Sequence, residues 1–194
     1  MSGLFNKEDF RDNCGFGLVA NINGIQSHKV VINSIDALKS MTHRGGVGSD
    51  GKTGDGCGLL LDIDHNYFKN ALLKESKVDV GEYFALAQIF YKNKISSILP
   101  NIEEILKKEG LELIFCREVP TNKKILGKIA LDCAPNIYQL FIKPIEKDFN
   151  KEKFDTGLIQ ARKFIEEIYM DDEILYICSM SSKTIVYKGL MLPN

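Results

Sequence analysis

Seven of the chain's sixteen glycines fall within fourteen residues, GGVGSDGKTGDGCG at 45–58, and no other stretch restricts the fold as much. Glycine has no Cβ and visits both signs of φ, so this density excludes helix and strand and predicts a shaped loop where backbones pass closely. Two Asp-Gly dipeptides add tight-turn signals. The flanks set the loop's context. Residues 28–44, HKVVINSIDALKSMTHR, place Val31, Ile35, Leu38 and Thr42 at helical spacing, with Ser27 ahead as an N-cap and Gly45 as the stop. Residues 59–63, LLLDI, read as a buried strand.

One string inside the loop points to a different chemistry. GVGSDGKT at 46–53 satisfies G-x-x-x-x-G-K-[ST], the phosphate-binding loop of nucleotide-hydrolysing proteins. That motif works because a strand enters the loop and a helix N-terminus leaves it, aiming amides and a positive dipole at the phosphates. Here the order is reversed, and Asp50 and Asp55 add negative charge where phosphates would sit. The spacing is therefore read as a tight connection, and its Lys52 as a coincidence.

Elsewhere, helical and strand patterns alternate without repeats or a linker. A strand is predicted at 16–22 (FGLVANI), followed by a turn at Asn23-Gly24; Asp64 caps a short helix; a second apolar strand covers 83–91. IEEILKKEG is a helix with a glycine stop, LELIFCREV and IYQLFIKPI are strands, FDTGLIQARKFIEEIY is a long amphipathic helix, and ILYICSMS and KTIVYKG are closing strands. Pattern alone does not separate α/β from α+β. With 25 basic and 26 acidic residues, the chain lacks the electrostatic footprint of a nucleic-acid or membrane-surface protein. No run approaches a membrane span and no signal peptide opens the chain, which predicts a cytoplasmic protein.

The five cysteines, at 14, 57, 116, 133 and 178, include no C-x-x-C pair, so reduced thiols are expected and no metal site. Cys116, Cys133 and Cys178 lie in or beside apolar strand patterns and read as small hydrophobes. Cys57 has one candidate base nearby in sequence, His43. Cys14 is the stronger nucleophile candidate. It precedes Gly15 and Gly17 and follows a polar leader, MSGLFNKEDFRDN. Cleavage after Asn13 would give the thiol an α-amine on its own residue, a base with a reference pKa of about 7.7–8.0.

Taken together, CGFG at 14–17, a helix ending in HRG, then DGKTGDGCG resemble the start of the glutaminase domain of bacterial glutamate synthase large subunits, which are class II glutamine amidotransferases. YICSMSSKTIVYKGLM at 176–191 extends the likeness along the chain. The resemblance implies an α+β fold, a four-layer αββα sandwich of the N-terminal nucleophile hydrolase type, with residues 14–194 as its N-terminal portion and 1–13 as a propeptide. It implies that the Cys14 thiolate attacks the side-chain amide of glutamine, releases ammonia and leaves a glutamyl thioester. It makes Arg44 a residue lining or bracing the nucleophile's pocket, the glycine-rich loop a wall of the active site, and His43 structural. It implies no cofactor in this segment, FMN and an iron–sulfur cluster in the full-length protein, and as partners the downstream synthase domains that use ammonia on 2-oxoglutarate and a small reductase subunit.

Family members place the oxyanion-hole Asn-Gly pair, and the arginine holding the glutamine carboxylate, well downstream of a YKG strand, and no Asn-Gly follows residue 24 here. The expectation is a piece of a longer enzyme that in isolation neither folds fully nor hydrolyses glutamine, since each missing oxyanion donor costs roughly 10²–10³-fold in rate. Two alternatives stay open: a non-catalytic binding or regulatory module of the same fold, and a glutaminase domain serving another acceptor, as in purine, glucosamine or asparagine synthesis.

Overall fold

The computed structural model describes residues 15–146, 148–169 and 175–192, with only the main chain of Arg44. In chain order the elements are α1 (His28–Ser40), β1 (Cys57–Asp62), α2 (His65–Ser76), β2 (Ala85–Tyr91), α3 (Leu99–Lys108), β3 (Leu111–Glu118), α4 (Lys128–Cys133), β4 (Asn136–Pro144), α5 (Lys151–Ile168), β5 (Leu175–Ser181) and β6 (Thr184–Gly189). Two of the helices start behind a short polar side chain that takes up a free amide. Asp64 accepts from the Tyr67 amide at 2.9 Å ahead of α2, and Asn150 from the Glu152 amide at 2.8 Å ahead of α5. Ser27 holds the N-cap position of α1 without a side-chain bond.

The strands form two antiparallel sheets, a four-stranded one in the order β3-β4-β2-β5 and a two-stranded one of β1 and β6. The central strands β2 and β4 are buried on both faces, which is why they read as continuous apolar runs. One face of the larger sheet, with Ala87, Ile89, Leu140 and Ile142, packs against Ile102 and Leu106 of α3 and Leu158 and Ile165 of α5. The opposite face, with Leu86 and Phe141, meets Ile185 of β6 together with Phe68 and Leu72 of α2. Helix α1 packs against β1. The layers are thus helices α3 and α5, the four-stranded sheet, the two-stranded sheet and α1, the mixed α+β arrangement of a partial αββα sandwich.

Two expectations change. Residues 16–22 carry no strand: 16–21 have no regular structure and Ile22 already belongs to the turn, with Phe16, Leu18 and Ile22 93%, 89% and 102% exposed. Alternating apolar residues suit a pleated surface, but a strand exists only when a neighbour takes up its amides and carbonyls. The turn after it does form, through the Gly24 amide donating to Asn21 O at 3.0 Å. The first helix ends at Ser40, and a one-turn 3₁₀ helix, Thr42–Arg44, carries the chain into the glycine-rich loop.

Candidate functional site

The glycine-rich loop doubles back on itself. Val47 and Gly54 form an isolated antiparallel bridge, the Gly48 amide donates to Thr53 O at 2.7 Å, and the Asp55 carboxylate accepts from the Gly46 amide at 2.7 Å. Its tip is anchored by one side chain. Asp50 accepts from the Lys52 amide (3.0 Å), the Thr53 amide (2.8 Å), the Thr53 hydroxyl (2.6 Å) and, across the fold, the Ile129 amide in the first turn of α4 (3.0 Å). The Thr53 hydroxyl in turn accepts from the Ala130 amide at 3.2 Å. Gly127 makes this approach possible, because a Cβ there would run into the Asp50 carboxylate and the Thr53 hydroxyl. These bonds, that to the Thr53 hydroxyl foremost, hold the Asp50 carboxyl well below the usual carboxylate range.

This arrangement disposes of the phosphate-loop reading on physical grounds. The amides that would cradle a phosphate are committed to Asp50, an internal anion, and the elements run helix–loop–strand as the sequence indicates. Helix α4 itself went unread in the sequence. It has six residues and too few turns to show a period, and its anchor lies 79 residues away. The available signal was local: an Asp two and three residues ahead of free amides, D-x-K-T, favours a side-chain-to-backbone turn.

Beyond the loop lies an open groove of about 1090 Å³, bounded by Cys57 and Leu60 of β1, Val186 and Lys188 of β6, the 121–126 segment and Cys133 of α4. Its walls are mainly apolar, with Lys92, Lys123 and Lys188 among the lining residues. Lys188 is held by the Tyr176 hydroxyl at 2.6 Å and its Nζ lies 3.9 Å from the centre of that ring, a cation–π contact. Lys123 donates to the Asn136 side chain at 3.2 Å.

Of the sequence-predicted site residues, Cys14 lies outside the described residues, and so does the side chain of Arg44, whose main chain ends the 3₁₀ turn at the mouth of the loop. The competing Cys57/His43 pair gains no support. Burial pushes the Cys57 thiol up, opposite to what an activated thiolate needs, and His43 Nδ1 lies 3.1 Å from Ser40 O. Burial likewise pushes Cys116 and Cys178 up to about 11, in keeping with their reading as hydrophobes. No group of three or more ligating side chains converges among the described residues, so Cys57, Cys116, Cys133 and Cys178 offer no ligand set for an iron–sulfur cluster. Nor is any described helix long and apolar enough to cross a membrane.

Comparison with known proteins adds what the geometry leaves open. The chain is similar to "Glutamate synthase [NADH]" of Saccharomyces cerevisiae, 35% identical over 204 residues and covering 98% of this chain. It is similar to "Ferredoxin-dependent glutamate synthase" of Pyropia yezoensis at 37% over 98% of the chain, and to "Glutamate synthase [NADPH] large chain" of Bacillus subtilis at 33% over 99%. The chain spans only 10%, 13% and 13% of those three proteins, respectively. The family model for "Glutamine amidotransferases class-II" matches residues 14–194. With that match added to the two-sheet α+β architecture and the glycine-rich loop behind the HRG helix, the chain belongs to the class-II glutamine amidotransferases.

Proposed function

We propose that this chain is the glutaminase portion of a glutamate synthase, working in the cytoplasm within a longer polypeptide. The observation that carries the reading is that glutamate synthases using three different electron donors all match nearly the whole chain at 33–37% identity. Residues 1–13 are a propeptide, and its removal makes Cys14 the N-terminal residue. The α-amine then takes the thiol proton, and the thiolate attacks the side-chain amide carbon of glutamine. The carbon–nitrogen bond breaks, ammonia leaves with that proton, and water hydrolyses the glutamyl thioester to glutamate.

Arg44 braces the pocket from the mouth of the loop. The loop is a rigid wall, because Asp50 ties its tip to α4. The ammonia is used on 2-oxoglutarate by domains beyond this chain. FMN and an iron–sulfur cluster belong to those domains, with electrons delivered there by a reductase subunit or another donor. Among the described residues the four cysteines do not gather into a ligand set for an iron–sulfur cluster, and two amides of the phosphate-like loop are taken by Asp50. The test is the intact mass of the full-length protein together with its glutaminase rate. The reading requires a mature N-terminus at Cys14 and a loss of roughly 10⁴–10⁶-fold in glutamine hydrolysis on Cys14→Ala. A retained leader in an active enzyme sinks it.

A further inference from the structure

Between the two sheets runs a row of polar side chains that the catalytic reading does not use. Arg117 of β3 pairs with Gln139 of β4, Gln139 with Gln88 of β2, and Gln88 with Ser179 of β5, so the four lie side by side across the larger sheet. Gln139, Gln88 and Ser179 are 2%, 3% and 5% exposed. Gln139 Nε2 donates to Gln88 Oε1 at 2.9 Å, Gln88 Nε2 donates to Val186 O of β6 at 3.2 Å, and the Val186 amide donates to Ser179 Oγ at 3.2 Å.

The row has a direction. The Val186 carbonyl can only accept, so Gln88 must present its NH₂ there and its oxygen to Gln139; Gln139 must then present its NH₂ to Gln88 and its own oxygen away from it. Turning either amide would set two acceptors or two donors against each other. At the far end, two buried atoms have no partner among the described residues, Gln139 Oε1 and Arg117 Nε. One is an acceptor and the other a donor, on residues paired across the same ladder. Arg117 is oriented by Glu75 of α2, 3.6 Å from its Nη2, and Tyr187 of β6 also feels the Arg117 charge.

We propose that an ordered water molecule bridges Arg117 Nε and Gln139 Oε1, completing a hydrogen-bonded relay from the Arg117 guanidinium to the main chain of β6. The chemistry selects the occupant. It must accept from the arginine and donate to the amide oxygen, which water does. A halide only accepts, and ammonium only donates. Buried waters characteristically sit where otherwise unsatisfied polar groups converge. The relay joins the two sheets through side chains at Val186, next to Tyr187 and Lys188 on the groove wall, and so fixes how β6 lies over the larger sheet.

The experiment is a high-resolution crystal structure of the full-length polypeptide, paired with hydrogen exchange on wild type and Gln139→Met, which keeps the volume and removes the amide. The proposal requires a single water peak within hydrogen-bonding distance of both atoms in the wild type. It also requires the peak to vanish in the variant and the Val186 amide to exchange roughly two- to tenfold faster. A direct Arg117–Gln139 bond, an ion or empty density in the wild type overturns it, whether or not the variant folds. A peak that survives Gln139→Met overturns it as well.

Discussion

The two sheets are built from similar apolar sequences and end in different states. β2 and β4 lie between helices on one side and a second sheet on the other, with Ala87, Ile89, Leu140 and Ile142 fully buried. β1 and β6 form a pair whose inner face is covered by the larger sheet and whose outer face α1 covers only in part. Leu59 and Leu61 alternate with Leu60, which is 66% exposed, and the helix packed against β1 has no fully buried residue. Apolar character decides that a strand seeks cover; the neighbours present decide whether it gets it. The groove between β6, β1 and α4 is the consequence, and the glycine-rich loop stands beside it.

The closed half carries most of the packing energy. Phe141 is fully buried against Phe68 at 6.1 Å and Phe84 at 5.6 Å between ring centres. Phe141→Ala is expected to destabilise the domain by about 3–5 kcal/mol, read as a shift in the urea midpoint. A loss below about 1 kcal/mol would mean that the closed half is as loose as the open one, and the contrast would fail.

Thiol chemistry sharpens the same contrast. Cys57 and Cys133 line the groove, whereas Cys116 and Cys178 sit in the four-stranded sheet with their thiols pushed up to about 11. Against an ordinary value of 9.0 for a free thiol, that shift leaves about 100-fold less thiolate near neutral pH. Among the four described cysteines, iodoacetamide at pH 7.5, followed by peptide mapping, should label the exposed Cys133 first and Cys116 and Cys178 last. Early labelling of Cys178 would show the closed half opening.

A third test addresses the seam between the halves, where Asp50 ties the loop to α4. Its carboxyl is held below its unfolded value, so its contribution is complete above the unfolded pKa, about 4, and is lost as pH falls through the still lower folded value. Asp50→Asn should therefore speed amide exchange at Thr53 and Ile129, which donate to that carboxylate, and at Ala130 beside them, and acid should loosen the wild type only well below pH 4. Loosening between pH 6 and 5 would point to another group.

How much of this was legible follows from the same physics. α5, β2 and β4 declare themselves because period or length is local. The loop does so as far as Gly56 because glycine density needs no partner, whereas Cys57 and Gly58, read as loop, already pair with β6. Residues 16–22 misled because a strand pattern states a preference that only a paired edge can fulfil, and here Phe16 and Leu18 have none. α4 was missed because its anchor, Asp50, is remote in sequence. The polar row was missed for a related reason: Gln88, Gln139 and Arg117 are unremarkable singly, and only the strand register sets them side by side. Of the site itself, the sequence pointed to Cys14 by its flanking glycines and polar leader as well as by likeness, and to Arg44 by likeness alone, whereas the clamp that holds the loop joins residues 79 positions apart and shows only in the fold.

The smallest effect is expected at Leu60, and it is the most informative about the open half. On the face seen here its side chain meets solvent, so Leu60→Ala should change stability by no more than about 0.5 kcal/mol, the range for surface substitutions. In the longer polypeptide proposed above, as in relatives roughly eight to ten times the length of this chain, the same substitution reads out the state of the outer face. A cost of about 2 kcal/mol or more there, the cavity-forming range for a buried leucine, means that further chain covers β1 and the sandwich is completed outside these residues. A cost near zero means that the two-stranded sheet is finished as it stands, and that the difference between the halves is a property of the working enzyme.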